Sequence, residues 1–218
     1  MRARSPESAS NAMRMQTLKT VSRISMNACI VYSSCTGNTR KVAEALADTS
    51  GLPCFPVRIA PEPDDFDILA LGFWVRKGLP DARALRYMER VRGKHVFFFG
   101  TLGAWPHSDH ARRCMAATHE ILQVGGNTVV DGFLCQGRVN PQVVAASQRK
   151  GGHPLSPERL ARLREAERHP DATDLTAARL HWQRSLQNHA ANFSVTPTPC
   201  FVADISSTPD PIGSNTSL

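Results

Sequence analysis

The sequence predicts an α/β protein: a doubly wound sheet of five parallel strands with helices on both faces. Three observations carry that expectation. Short apolar, β-prone segments alternate with segments of helical composition from about residue 26 to 192. The segment Cys29 to Tyr32 passes through a run of small or hydroxylated residues straight into a strong helix former. His95 to Gly100 holds three consecutive phenylalanines, Phe97 to Phe99, which suits a strand buried on both faces.

In chain order, Cys29 to Tyr32 is the first strand. The helix after it starts near Asn38, and Lys41 to Ser50 continues it until Gly51-Leu52-Pro53 stops it. Cys54 to Ile59 reads as a short second strand and Asp67 to Phe73 as a third, nearly all apolar. Asp81 to Val91 has helical composition, and His95 to Gly100 is the fourth strand. Ser108 is a good N-cap for a helix reaching about Val124, where Gly125-Gly126 ends it. Thr128 to Cys135 is the last strand, weakened at Gly132. Helical segments follow near 141–150, 157–168 and 174–192. Ser156-Pro157-Glu158 sets an N-cap before proline at the first helical position. Leu175, Ala178, Trp182 and Leu186 form a core stripe at helical spacing. The helix at 157–168 reads as an insertion placed to cap an edge of the sheet.

The first strand–helix junction, Ser34-Cys35-Thr36-Gly37-Asn38-Thr39, has the chemistry of a phosphate cradle. Gly37 permits a tight turn, and Ser34, Thr36 and Thr39 bring hydroxyl donors. The helix adds unpaired N–H groups and the positive end of its dipole. No Lys or Arg lies inside the loop, so it suits one terminal phosphate held by neutral donors. A Walker A loop is excluded because no Gly-Lys-Ser/Thr is present, and a dinucleotide fingerprint because Gly37 stands alone. In a cysteine phosphatase loop headed by Cys35, Arg40 falls one residue short and Lys41 takes the clamping position. Lys cannot replace a planar bidentate clamp. A serine- and threonine-rich turn that merely caps a helix is the remaining alternative.

This junction resembles the FMN phosphate loop of the flavodoxins, [ST]-x-T-G-x-T, and the order of elements is similar over roughly residues 26 to 192. Within that family the chain is similar to the small flavodoxin-like proteins of bacterial reductive pathways, including those that accompany bilirubin reductases. The resemblance implies strand order 2-1-3-4-5, with FMN outside the carboxyl ends of strands 1, 3 and 4. It assigns the phosphate to Ser34, Cys35, Thr36, Gly37, Asn38 and Thr39. It places Phe73 and Trp74 against the isoalloxazine. Gly78 becomes the residue whose carbonyl rotates toward N5–H, at a spacing one residue longer than the common Trp-x-x-Gly. The loop Gly100 to Pro106 is similar to the flavodoxin Gly-Thr-Gly loop. There Thr101, Leu102 and Gly103 would face N1 and O2, with Trp105 covering the ring edge. The usual stacking tyrosine has no counterpart, since only Tyr32 and Tyr87 are present.

A chain of 218 residues with 41% hydrophobic content can bury a core of its own, and no apolar run reaches the length of a membrane span. The expected division is a disordered extension over 1–25, one domain over 26–192 and a disordered tail over 193–218. The extension is rich in Ser and Arg, and Met26 stands just before the first strand as a simpler start. The tail is rich in Pro, Ser and Thr and has no Lys or Arg. The six cysteines form no C-x-x-C, so free, mostly buried thiols in a reducing cytoplasm are expected.

The net charge is +7, and residues 26–192 hold 21 basic against 16 acidic residues. That departs from the acidic character usual among flavodoxins and points to an acidic partner or an anionic ligand. Nucleic acid is not expected, because Arg159, Arg162, Arg164 and Arg168 alternate with Glu158, Glu165 and Glu167 as on a solvated helix face. His107-Ser108-Asp109-His110 offers metal-ligating groups without a further cluster to complete a site, so no metal is expected. Together these readings imply a cytoplasmic FMN-binding electron carrier with no catalytic side chain, serving a partner reductase or oxidoreductase and no membrane. The alternatives are an FMN-dependent NAD(P)H oxidoreductase of the quinone reductase type, with Arg76 and Lys77 serving an anion, and a non-flavin module on the same fold.

Overall fold

A computed structural model describes residues 27–149 and 156–193. The expected extension over 1–25 and the tail beyond Phe193 lie outside these residues. Five parallel strands form the sheet: β1 (Ala28–Tyr32), β2 (Cys54–Pro56), β3 (Ile68–Arg76), β5 (His95–Leu102) and β6 (Thr128–Gln136). Their order, β2-β1-β3-β5-β6, is the expected 2-1-3-4-5 when parallel strands alone are counted. The addition is β4 (Leu79–Pro80), which folds back antiparallel on β3 with Arg76 opposite Leu79.

Alternation along the strands divides the core between two faces. Leu69, Leu71, Phe73 and Phe98 pack with Tyr87 and Met88 around α2 (Ala82–Met88) and with Leu122 of α3 (Asp109–Val124). Ile30, Ile68, Phe97 and Phe99 pack on the other face with Val42 and Leu46 of α1 (Asn38–Ser50) and Trp182 of α6 (Ala172–Phe193). The expected stripe on α6 is thus core: Trp182 is fully buried, its ring 5.4 Å from that of Phe97. The phenylalanine rings lie over glycines in register on the next strand. Gly72 faces Phe99, Gly100 faces Phe73, and Gly132 faces Phe98. A Cβ on any of them would stand within 3.0 Å of the ring. Gly132 is therefore a seat for an aromatic ring as much as a weak point.

The strands depart from expectation for physical reasons. β2 stops at Pro56 because the chain turns there, with the Ile59 N–H donating to the Pro56 carbonyl at 3.0 Å. β3 runs on to Arg76 because the β4 hairpin pairs with its end. β6 carries an irregularity, its register against β5 shifting between Val96 and Phe97. Between α4 (Pro141–Arg149) and α6 lies α5 (Pro157–Ala166), capped by Ser156 as expected. It sits at the end of edge strand β6, where Gln136 Nε2 donates to the Arg162 carbonyl at 3.3 Å.

Candidate functional site

The chain leaving β1 is anchored at once to β3, the Ser33 N–H donating to the Gly72 carbonyl at 2.8 Å. Gly37 is the N-cap of α1 at φ 87°, a left-handed conformation that side chains disfavour. A helix of 13 residues therefore starts with no side-chain cap and no acidic residue in its first turn. Its leading N–H groups and dipole face the loop without a side-chain acceptor, which is the donor set an anion requires. The Gly37 N–H donates to Ser34 Oγ at 3.2 Å, and Cys35 and Thr36 stand exposed. Thr39 is turned inward, its hydroxyl 2.9 Å from that of Thr101. These residues fit a phosphate.

The loop after β3 divides its expected residues. Trp74 and Val75 line the cleft, whereas the Phe73 ring is fully buried in the core and only its carbonyl reaches Thr39, at 3.4 Å. Lys77 and Gly78, at φ 54° and 86°, make the tight two-residue turn between β3 and β4. Gly78 lies toward His110 of α3 and is not among the residues lining the cleft. Behind this loop Asp81 caps α2 and is 2% exposed. Its Oδ1 accepts from Ser33 Oγ at 2.8 Å and from the Arg83 N–H at 3.1 Å, while its own N–H donates to the Trp74 carbonyl at 3.1 Å. Asp81 thereby ties the first loop to the second.

After β5, Thr101 and Leu102 are buried and line the cleft together with Gly103. Trp105 is 46% exposed and lies outside the lining, its carbonyl accepting from Ser108 Oγ at 2.7 Å. A fourth loop, Gly137 to Asn140 between β6 and α4, was not anticipated. Asn38 Nδ2 donates to the Arg138 carbonyl at 2.9 Å and to Thr36 Oγ1 at 3.0 Å. Val139 lies so close to Gly103 that a Cβ there would stand 2.3 Å from its methyl. The one sequence signal for this loop was Asn140-Pro141, a helix start at the carboxyl end of a strand.

The four loops enclose a cleft of about 140 Å³. Cys35, Thr36, Asn38, Trp74, Leu102 and Arg138 are among the residues that line it. Sites that enclose a whole cofactor measure roughly 300–1,000 Å³, so this cleft suits partial enclosure.

Other titratable groups have structural roles. Ser108 caps α3, and Asp109 pairs with Arg112. His169, Asp171 and Asp174 bring ligand atoms within 4.8 Å of one another. They form the start of α6: Asp171 Oδ1 accepts from the Asp174 N–H at 2.9 Å, and Asp174 Oδ2 meets His169 Nδ1 at 2.5 Å. Burial pushes the Cys29 thiol up to about 12 and that of Cys54 to about 11, so both are inert beside exposed Cys35. No helix among the described residues is long and apolar enough to cross a membrane.

A family model described as a flavodoxin domain matches residues 29–183. The chain is 27% identical over 169 residues to the flavodoxin-like domain-containing protein BilS of Clostridioides difficile (strain CD3), covering 70% of this chain and 92% of the relative. It is 28% identical over 180 residues to BilS of Clostridium symbiosum (strain WAL-14163), with the same coverage. Among solved structures, flavodoxin 2 of Bacillus cereus superposes with a TM-score of 0.50 at 13% identity, over 74% of this chain and 99% of that one. Sheet order, loop placement and the matched span agree: the chain belongs to the flavodoxin domain family, whose cofactor is a flavin.

Proposed function

We propose that this protein binds FMN and carries electrons to a partner oxidoreductase. The observation that carries the reading is the uncapped start of α1 behind Gly37, with Cys35, Thr36 and Asn38 lining a cleft at the carboxyl ends of β1, β3 and β5. FMN, when bound, supplies the redox chemistry. The chain holds its phosphate with the hydroxyls of Ser34 and Thr36 and the N–H groups that begin α1. Cys35, Asn38 and inward-turned Thr39 shape that cradle rather than add charge. Trp74, Leu102 and Gly103 supply apolar and backbone lining to the same cleft. Gly78 supplies a peptide in a tight turn, and Trp105 an exposed aromatic in the loop after β5.

Stepwise photoreduction of the FMN-loaded protein without oxygen, followed by addition of NADPH to a fresh oxidised sample, tests this. The expected outcome is flavin that reduces by light in separable one-electron steps and stays oxidised with NADPH until a reductase is supplied. Rapid bleaching by NADPH alone would replace the carrier with an NAD(P)H oxidoreductase.

A further inference from the structure

The phosphate loop also forms one wall of a second depression. Ser33, Ser34 and Gly37 line it together with Arg40, Arg58 and Arg83, around about 380 Å³. It runs on through Val57, Arg58 and Arg83 into an open depression of about 630 Å³ bordered by Arg86, Tyr87 and Arg90. Five arginines thus face one trough, and Glu89 is the only acidic residue in its lining among the described residues.

Their placement follows from the fold. Arg83, Arg86 and Arg90 are spaced three and four residues apart, so they form a stripe on and just beyond α2. Arg58 faces them from the turn after β2, and Arg40 from the first turn of α1. All five are exposed. Arg40 is paired with Glu44, and Arg90 with Glu62, whereas Arg58, Arg83 and Arg86 make no side-chain hydrogen bond or ion pair among the described residues. The three arginines without an ion pair among the described residues repel one another at modest cost, and an opposite surface relieves that repulsion.

We propose that this trough docks an acidic, extended segment of the redox partner. The proposal rests on the carrier reading for the identity of the partner, and on the trough alone for its chemistry. A linear row of guanidinium groups on an open surface matches a row of carboxylates. Of the two tyrosines in its lining, Tyr87 is buried with its ring under the Arg90 guanidinium at 5.5 Å, and Tyr32 is half-buried. The trough shares Ser34 and Gly37 with the cradle, so a segment bound there would lie beside the cofactor.

The test uses the full chain, with and without FMN, and a fluorescent oligoglutamate peptide of about eight residues as the probe. Anisotropy titrations compare wild type with Arg58→Gln/Arg83→Gln/Arg86→Gln and with a control, Arg112→Gln/Arg113→Gln/Arg164→Gln, which removes the same charge elsewhere. The expected result is binding at low salt that weakens on the order of tenfold in the trough variant, changes little in the control, and fades as salt screens the pairs. Equal weakening in both variants would reduce the effect to net charge and overturn the proposal. Tighter, trough-dependent binding of ADP or of a short single-stranded DNA would assign the trough to phosphates and overturn it too. Circular dichroism of both variants identifies any loss due to misfolding. Peptide binding does not require flavin, so it can fail while the cofactor binds, and the reverse.

Discussion

Asp81 shows how much of the site rests on a single side chain. Its Oδ1 serves at once as the cap of α2 and as acceptor for Ser33 Oγ, which stands just before the phosphate cradle. Loss of a cap costs about 1 kcal/mol. An abandoned buried hydroxyl adds about 1–3 kcal/mol. Asp81→Ala is therefore expected to lower unfolding free energy by roughly 2–3 kcal/mol in urea titrations and to weaken FMN binding. Asp81→Asn keeps an acceptor at that position and is expected to lose less than half as much. Equal losses in the two variants would show that the carboxylate charge matters and the acceptor geometry does not. None of this is legible in the chain, since Ser33 and Asp81 are 48 residues apart and neither belongs to a motif. The cradle itself was legible because strand, turn and helix start are consecutive in sequence.

Among the elements, local signals defined what local physics controls. Ser108 and Ser156 cap their helices as their sequences indicate, and the phenylalanines of β5 are buried on both faces. What went unread depends on neighbours. The β4 hairpin is two residues long and turns on Lys77-Gly78, not on one of the usual Asn-Gly or Asp-Gly pairs. The fourth loop reaches the cleft only because β6 lies beside β5. A pH response is built in at the opposite end of the sheet. His95 begins β5 and meets His189 of α6 with Nδ1 atoms 3.1 Å apart. Burial, and then the neighbouring imidazole, hold His95 below its ordinary value, and burial does the same to His189; Asp67 opposes both. A base with a lowered folded pKa adds stability that is present above about 6.5 and is lost as pH falls toward the lowered value. His169 pulls the other way: the Asp174 hydrogen bond raises it, so its contribution is lost as pH rises. Urea midpoints of wild type and His95→Asn at pH values on either side of that window separate the two. The variant is expected to lose less stability than wild type on acidification. An equal or greater loss would mean the pair is not the group that titrates.

At the scale of the whole molecule, features scattered along the sequence gather around one loop. Cys35, Thr36 and Asn38 line the cleft with Trp74, Leu102 and Arg138, while Ser34 and Gly37 line the trough with its arginines. The charge that composition could only count is thereby given a place, next to the cradle and outside it. Selectivity for the cofactor should then come from the phosphate itself. Charge-assisted bonds to several N–H and O–H donors are stronger than neutral ones, and a ligand without phosphate forfeits all of them. The most direct measurement is a fluorescence titration of the purified protein with FMN and with riboflavin, repeated for Gly37→Ala. That substitution forces a side chain into the left-handed conformation at about 1–2 kcal/mol. The expected result is micromolar or tighter FMN binding, riboflavin weaker by on the order of a hundredfold, and a Gly37→Ala variant weakened toward FMN alone. Absence of FMN binding at micromolar concentrations, or riboflavin bound as tightly as FMN, would contradict the assignment of the cradle.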